Sequence, residues 1–196
     1  MIGFTIIARE GDALALAADT ESSSNAETER LKVTAKNVLR KLSSTRAHSA
    51  PRLSIEASTY NLHVVIEGGV IFMCHSEASQ PASVPFAYLE DVANEFLGQY
   101  GAQVDSAKRP YVFIKFDLYL QKAKRAHIAR AAQARPPPRS DIVRKSFRDV
   151  MGFGDAPQAA GKGGERGDNT VLIAAGMIGL GVVVIVVFLV LALSSD

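Results

Sequence analysis

The longest uncharged stretch of the chain, residues 171–193, restricts its architecture more than any other feature. These 23 residues are dominated by Val, Ile and Leu, and they are bounded by Asp168 and by residues 194–196. As a helix, such a stretch rises about 34 Å, which is enough to cross a hydrocarbon core of about 30 Å. A buried core helix is the alternative, but its apolar run is typically only about 10–14 residues long. The sequence therefore predicts one transmembrane anchor over residues 170–193.

Positive charges flank this predicted anchor on one side only. Six Lys or Arg residues lie between positions 139 and 166, whereas residues 194–196 contain none. Positively charged flanks usually remain on the cytoplasmic side of a membrane. We therefore expect a tail-anchored protein with residues 1–169 in the cytosol. The first residues have no basic segment before their apolar run, so a signal peptide is not predicted.

Composition argues against several classes of function. The formal net charge of +2 over 196 residues is too small for a nucleic-acid-binding surface. Cys74 is the only cysteine, and its apolar neighbours predict a buried thiol rather than a reactive one. The four histidines lack the spacing of a metal site. We therefore expect no catalytic, cofactor-binding or metal-binding residues, no nucleic-acid partner and no small-molecule substrate.

Residues 1–130 combine short apolar runs with helical patterns. Strands are predicted at residues 2–8, 13–18, 52–58, 60–67 and 70–76, with Gly68-Gly69 as the turn of the last hairpin. Apolar residues at helical spacing predict one helix after residue 27, a second near Pro85 and a third beginning near Tyr111 or Phe113. Three prolines at 136–138 are expected to stop the third helix. The order β-β-α-β-β-β-α-α predicts an α+β domain with a five-stranded, mainly antiparallel sheet.

Three stretches of this domain carry a family resemblance. They are Phe4-Thr5-Ile6-Ile7-Ala8-Arg9 with Asp12 and Leu14 after it; Phe86-Ala87-Tyr88-Leu89-Glu90-Asp91 with Phe96 after it; and Arg109-Pro110-Tyr111-x-Phe113-Ile114-x-Phe116-Asp117-x-Tyr119-x-Gln121-Lys122. Together they resemble the longin-domain R-SNAREs, closest to the Sec-twenty-two type of the endoplasmic reticulum (ER) and Golgi. The resemblance implies a profilin-like longin domain over residues 1–130, with helices on both faces of the sheet. It also implies binding to vesicle coat proteins and to SNAREs, without catalytic residues.

Residues 131–169 depart from that family pattern. The resemblance implies several heptads between the longin domain and the anchor, with an arginine at one central seam position. Residues 139–152 supply only about two heptads, whereas a coiled coil needs about three to four. No arginine lies on their apolar face, which consists of Val143, Phe147, Val150 and Met151. We therefore interpret residues 131–169 as a Pro/Gly-rich linker with a short basic amphipathic helix and a degenerate or missing SNARE motif.

The four cations of that helix leave a further alternative open. Arg139, Arg144, Lys145 and Arg148 could hold it against an anionic membrane surface near the anchor. A short solvated helix or a remnant of a coiled coil is favoured over this arrangement, because only four large apolar residues would insert.

The sequence thus favours a tail-anchored longin protein of vesicle-mediated transport at the ER or Golgi membrane, or at both. It would act by protein-protein interaction, in sorting or in SNARE regulation. A divergent R-SNARE that still takes part in membrane fusion is the first alternative. A tail-anchored enzyme is a weaker one, because the chain has neither a haem-type His-Pro-Gly-Gly loop nor a flavin site.

Overall fold

The computed structural model describes residues 1–19, 26–45, 50–57, 59–133 and 139–152. The strands and helices are β1 (Ile2–Arg9), β2 (Ala15–Ala18), α1 (Ala26–Thr45), β3 (Arg52–Glu56), β4 (Tyr60–Glu67), β5 (Val70–Glu77), α2 (Ser83–Tyr100), α3 (Asp117–Gln133), β6 (Val143–Ser146) and α4 (Phe147–Met151). Two 3-10 turns, Gly101–Gln103 and Ile114–Phe116, lie between α2 and α3. None of the helices in these ranges is long and apolar enough to cross a membrane. The anchor predicted over residues 170–193 lies outside them.

The strands form one mixed sheet in the order β2-β1-β5-β4-β3-β6. The five strands predicted from the sequence pair antiparallel with their neighbours, whereas β6 pairs parallel to β3. The prediction of five strands was therefore wrong by one, because residues 143–146 were assigned to a helix. Without β6, the outer edge of β3 would present unpaired backbone groups, and β6 provides partners for them.

The hairpin between β4 and β5 turns at the predicted Gly68-Gly69 pair. Both glycines have positive φ angles, 56° and 72°. A two-residue hairpin turn of this kind matches the twist of its strands, and glycine adopts both conformations without strain. A Cβ at Gly68 would also lie 3.0 Å from the side chain of Leu97 on α2. The glycine there thus serves both the turn and the close approach of α2.

Helices cover both faces of the sheet, as the resemblance implied. On one face, α1 buries Ala35, Val38, Leu39 and Leu42 against β-strand residues. On the other face, α2 and α3 bury a second cluster that includes Tyr88, Leu89, Phe96 and Leu120. Both clusters belong to one compact unit, Met1–Gly154. Since this unit contains the whole sheet and both cores, it has what a domain needs to fold by itself.

The third helix begins later than predicted, at Asp117 instead of near Tyr111 or Phe113. Tyr111 has a positive φ of 57°, which no helix accommodates. Its backbone N–H donates to the carbonyl of Ala15, and the N–H of Phe113 donates to the carbonyl of Leu16. These bonds hold residues 111–113 in a turn beside β2, so the helix forms only after that contact ends.

Candidate interaction site

Residues 139–152, called the strap below, lie against the domain. Strand β6 of the strap adds to β3 in register, with Leu53 opposite Val143 and Glu56 opposite Ser146. Helix α4 then contacts α1 on the neighbouring face of the sheet. The strap therefore joins an edge of the sheet to one of its faces. This is the place where the predicted SNARE remnant meets the longin-like domain.

A cluster of four charged side chains connects the start of the strap to α2 and β3. The Glu90 carboxylate accepts a hydrogen bond of 2.6 Å from Arg52 Nε and one of 2.7 Å from Arg139 Nη1. Arg139 also donates to both oxygens of Asp141, at 3.0 and 2.6 Å. Asp141 lies 3.4 Å from Arg52, which closes the cluster. Two carboxylates and two guanidinium groups thus link the strap to two separate elements of the domain.

The pKa values of this cluster follow from those contacts. Burial alone would raise the pKa of Glu90, but the hydrogen bonds from Arg139 and Arg52 outweigh it and hold that pKa below its usual value. The hydrogen bond from Arg139 likewise lowers the pKa of Asp141. Both acids are therefore ionised at neutral pH, and the cluster is an ion-pair network rather than an acid/base pair.

A second ion pair holds β6 but contributes less. Arg144 Nη1 lies 2.8 Å from Glu56 Oε1, and both side chains are largely exposed. Exposed pairs of this kind are worth about 0–1 kcal/mol. In contrast, the side chains of Arg52, Glu90 and Arg139 are each only about a quarter exposed. The Glu90 cluster is therefore the principal polar attachment of the strap.

Helix α4 is short but well capped at both ends. The Ser146 hydroxyl accepts from the N–H of Asp149, and the Asp149 carboxylate accepts from the N–H of Ser146, each at 3.2 Å. Gly152 has a φ of 77° and its N–H donates to the carbonyl of Arg148. A helix of five residues is unstable alone, so packing has to hold it. Val150 supplies this packing, since it is only 7% exposed against the α1 side of the core.

The structure divides the apolar face that the sequence predicted. Phe147, Val150 and Met151 pack on the α1 side of the core, whereas Val143 stays 38% exposed on β6. The interpretation of residues 139–152 as one amphipathic helix was therefore wrong, because the first half is a strand. The apolar residues of α4 are also committed to the domain. They are not free to insert into a membrane, as that alternative would require.

Sequence reasoning missed the Glu90 cluster altogether. In the sequence, Glu90 stands out only as part of the stretch from Phe86 to Asp91 that carries the family resemblance. Its partners are 38 positions earlier, at Arg52, and 49 positions later, at Arg139. No local spacing carries a signal over such separations. The packing of α2 on the sheet brings Glu90 to Arg52, and the pairing of β6 with β3 adds the residues of the strap.

Two titratable side chains of the described residues, His63 and Cys74, are buried in the core. His63 is bracketed by Ser54 Oγ at 3.2 Å and Ser76 Oγ at 2.9 Å, but all three side chains are fully buried. Burial lowers the pKa of His63 to about 4, so the ring is neutral and inaccessible to substrate. Burial also raises the pKa of Cys74, as expected for an inert thiol. Among the described residues, no group of three His, Cys, Asp or Glu side chains could hold a metal ion.

Comparison with known proteins places this architecture in a family. The model of the longin family, described as a regulated-SNARE-like domain, matches residues 16–120. The chain is 41% identical over 130 residues to vesicle-trafficking protein SEC22b-A of Danio rerio, covering 65% of this chain and 59% of that protein. It is 32% identical over 163 residues to the 25.3 kDa vesicle transport protein SEC22-1 of Arabidopsis thaliana, covering 79% and 74%.

A fungal relative gives a similar result. The identity with protein transport protein sec22 of Schizosaccharomyces pombe is 37% over 129 residues, or 65% of this chain and 58% of that protein. The chain thus spans less than two thirds of the length of the zebrafish and fission-yeast relatives. The family match nevertheless covers more than half of the chain and the core of the fold described above. This chain therefore belongs to the longin family of regulated-SNARE-like domains.

Proposed function

We propose that this chain acts in vesicle-mediated transport between the ER and the Golgi, as a binding protein in sorting or SNARE regulation. The observation that carries the proposal is the docked strap. Residues that would have to supply a SNARE helix are held as β6 and α4 against the longin domain. Domain and strap together present one composite surface to a partner. The names of the relatives, which describe vesicle-trafficking and protein-transport proteins, support the same pathway.

The partners we propose are vesicle coat proteins and SNAREs. A coat protein would recognise the strap in its docked state, because β6 and the complete Glu90 cluster form only in that state. Such recognition would distinguish a folded protein with its strap in place from one whose strap has been captured by SNARE helices. No enzymatic step is proposed, since the buried His63 and Cys74 are out of reach of any substrate.

A mixing experiment tests this function. Residues 1–169 would be combined with the SNARE-motif helices of an ER-to-Golgi set, and circular dichroism and thermal melting would be recorded. We expect no large gain of helix, with the longin domain still folded. A large gain with a high melting temperature would mean that the chain is a fusion SNARE, and the sorting proposal would fail.

The divergent R-SNARE remains the second candidate, and one observation favours it. The match with the Arabidopsis thaliana protein extends over 163 residues, which exceeds the length of the longin domain. For this function, the strap would have to leave β3 and α1 before it could join a coiled coil. The mixing experiment decides between the two candidates.

We further propose that residues 170–193 anchor the chain in the ER or Golgi membrane, with residues 1–169 in the cytosol. The uncharged length of residues 171–193 and the cations before it support this topology. Protease added to sealed microsomes should digest the longin domain completely. Protection of that domain would contradict the topology.

A further inference from the structure

Among the described residues, six large apolar side chains are exposed, and three of these six lie within a segment of seven residues. They are Val112 at 51% exposure, Ile114 at 52% and Leu118 at 76%; the other three, Met1, Val33 and Val143, lie in other elements. Isolated exposed apolar residues are common on protein surfaces, whereas a cluster usually marks a contact with something else. The cluster is not part of the strap site described above.

The backbone that carries these apolar side chains is held in place by hydrogen bonds and aromatic packing. Val112 lies between the two residues whose N–H groups donate to β2, so its side chain faces away from the sheet. The neighbouring Phe113 and Phe116 anchor this segment against Phe96, with ring centroids 5.6 and 5.1 Å apart. Ordering the cluster on binding would therefore cost little conformational entropy.

Four cations surround these apolar side chains. Lys108, Arg109, Lys115 and Lys122 are all exposed, and none of them forms an ion pair with another residue in the described part of the chain. Ile114, Leu118 and Lys122 follow at intervals of four residues, and Lys115 precedes Leu118 by three. They therefore share the exposed face of the 3-10 turn and of α3. The segment 108–122 also contains one acid, Asp117, so its formal charge is +3. Apolar side chains beside such an excess of positive charge complement an acidic surface that has an apolar interior.

We propose that this patch, made of residues 108–122, docks on the surface of an anionic lipid membrane. The three apolar side chains enter the headgroup region, and the four cations contact acidic headgroups. The hollow beside the patch, of about 270 Å³, is lined by both polar and apolar residues: Gln103, Ser106, Ala107, Lys108, Arg109, Val112 and Phe113. Its two cations thus lie beside apolar side chains, which is the combination that a surface with acidic headgroups and an apolar interior requires.

The position of the patch relative to the sheet determines where the strap lies when the domain is bound to a membrane. The turn Ile114–Phe116 packs on β2, at one edge of the sheet, whereas the strap forms the opposite edge. Six strands at a spacing of about 4.8 Å separate the two edges by about 24 Å. A domain lying on the bilayer through the patch would therefore hold the strap away from the membrane, where a soluble coat protein can reach it.

Vesicle sedimentation tests the proposal. The fragment 1–152, which contains the complete fold, would be mixed with phosphatidylcholine vesicles with and without about 30% phosphatidylserine. We expect sedimentation with the acidic vesicles only, and loss of it as salt rises from 0.1 to 1 M and shortens the Debye length from about 10 to about 3 Å. At about fivefold per cation, Lys115→Gln with Lys122→Gln should weaken binding about 30-fold.

Matched variants separate the patch from general surface effects. The pair Ile114→Ser and Leu118→Ser should weaken binding about tenfold or more, through lost apolar insertion. The control pair, Val33→Ser and Arg40→Gln, removes one exposed apolar side chain and one exposed cation from α1 on the other sheet face, and it should have no effect.

Three results would overturn the proposal. They are equal binding to neutral vesicles, equal loss in the α1 control, and no sedimentation by a fragment whose circular dichroism shows it folded. The last result would indicate that the patch binds a protein instead of a membrane. Glu90→Gln alters the strap at the other edge of the sheet, and this variant should sediment like the unmodified fragment. The vesicle measurement therefore does not depend on whether the strap proposal is correct.

Discussion

Replacing Glu90 by glutamine tests how the strap is held. The amide keeps the shape of the carboxylate but removes the charge that accepts from both Arg52 and Arg139. Breaking a fully buried ion pair costs about 3–5 kcal/mol, and an exposed pair is worth about 0–1 kcal/mol. The side chains here are about a quarter exposed, so solvent screens part of the interaction. We expect Glu90→Gln to destabilise strap docking by about 1–2 kcal/mol.

Hydrogen exchange measures this loss directly. A change of about 1–2 kcal/mol multiplies the population of undocked strap about 5- to 30-fold. The amides of residues 143–152 should exchange faster by that factor, while those of β5 at the centre of the sheet should not change. Glu95→Gln is the matched control, because Glu95 lies on the same helix and its carboxylate accepts a hydrogen bond from Gln99 rather than from the strap. Unchanged exchange of the strap in Glu90→Gln, or equal acceleration in Glu95→Gln, would refute the reasoning.

Acid should act on the same attachment. The pKa of Glu90 is lowered in the folded protein, so its contribution is complete above its unfolded value of 4.5 and is lost as the pH falls through the folded value. The strap amides of the unmodified protein should therefore lose protection at acidic pH. In Glu90→Gln, the part of this loss that is due to Glu90 should be absent.

Three further predictions concern the domain itself. His63 stays neutral down to about pH 4, whereas an unfolded histidine is protonated below about pH 6.5. The free energy of unfolding should therefore fall by up to about 3 kcal/mol as the pH decreases from 6.5 to about 4. A flat pH profile in chemical denaturation would contradict this. Phe96→Ala empties a fully buried site among four aromatic rings and should cost about 3–5 kcal/mol in the same assay. Thr5→Val deprives the buried Tyr88 hydroxyl of its 2.9 Å partner and should cost about 1–3 kcal/mol, whereas adding Tyr88→Phe should recover part of that loss.

The elements that could be predicted from sequence are those whose signals are local. Alternating apolar residues and the Gly68-Gly69 pair located the β4–β5 hairpin, and helical spacing located α1 and α2. The burial of Cys74 followed from its apolar neighbours. The start of α3 was less predictable. Its apolar period already runs through residues 111–116, and only the two hydrogen bonds to β2 keep Tyr111 and Phe113 out of the helix.

The strap could not be predicted, because its conformation is decided by distant residues. Val143, Phe147 and Val150 are spaced as on one helix, and nothing nearby contradicts that pattern. The deciding partner is the edge of β3, about 90 positions earlier in the chain. The same pairing brings Arg139 to Glu90. The predicted anchor at residues 170–193 lies outside the described residues and stays a prediction.

Docking and helix formation compete for the same residues of the strap. Ser146 lies in extended conformation, with φ −71° and ψ 154°, because it ends β6 and caps α4. A continuous helix through residues 143–151 would have to rotate Ser146 into the helical region, which breaks the capping box. It would also remove β6 from β3, and Val150 from its site beside α1. A SNARE bundle that recruits this strap must therefore compensate for all three losses, while it gains only about two heptads of apolar contact. This imbalance favours the docked state, and we therefore expect the partner of the strap to bind it in that state.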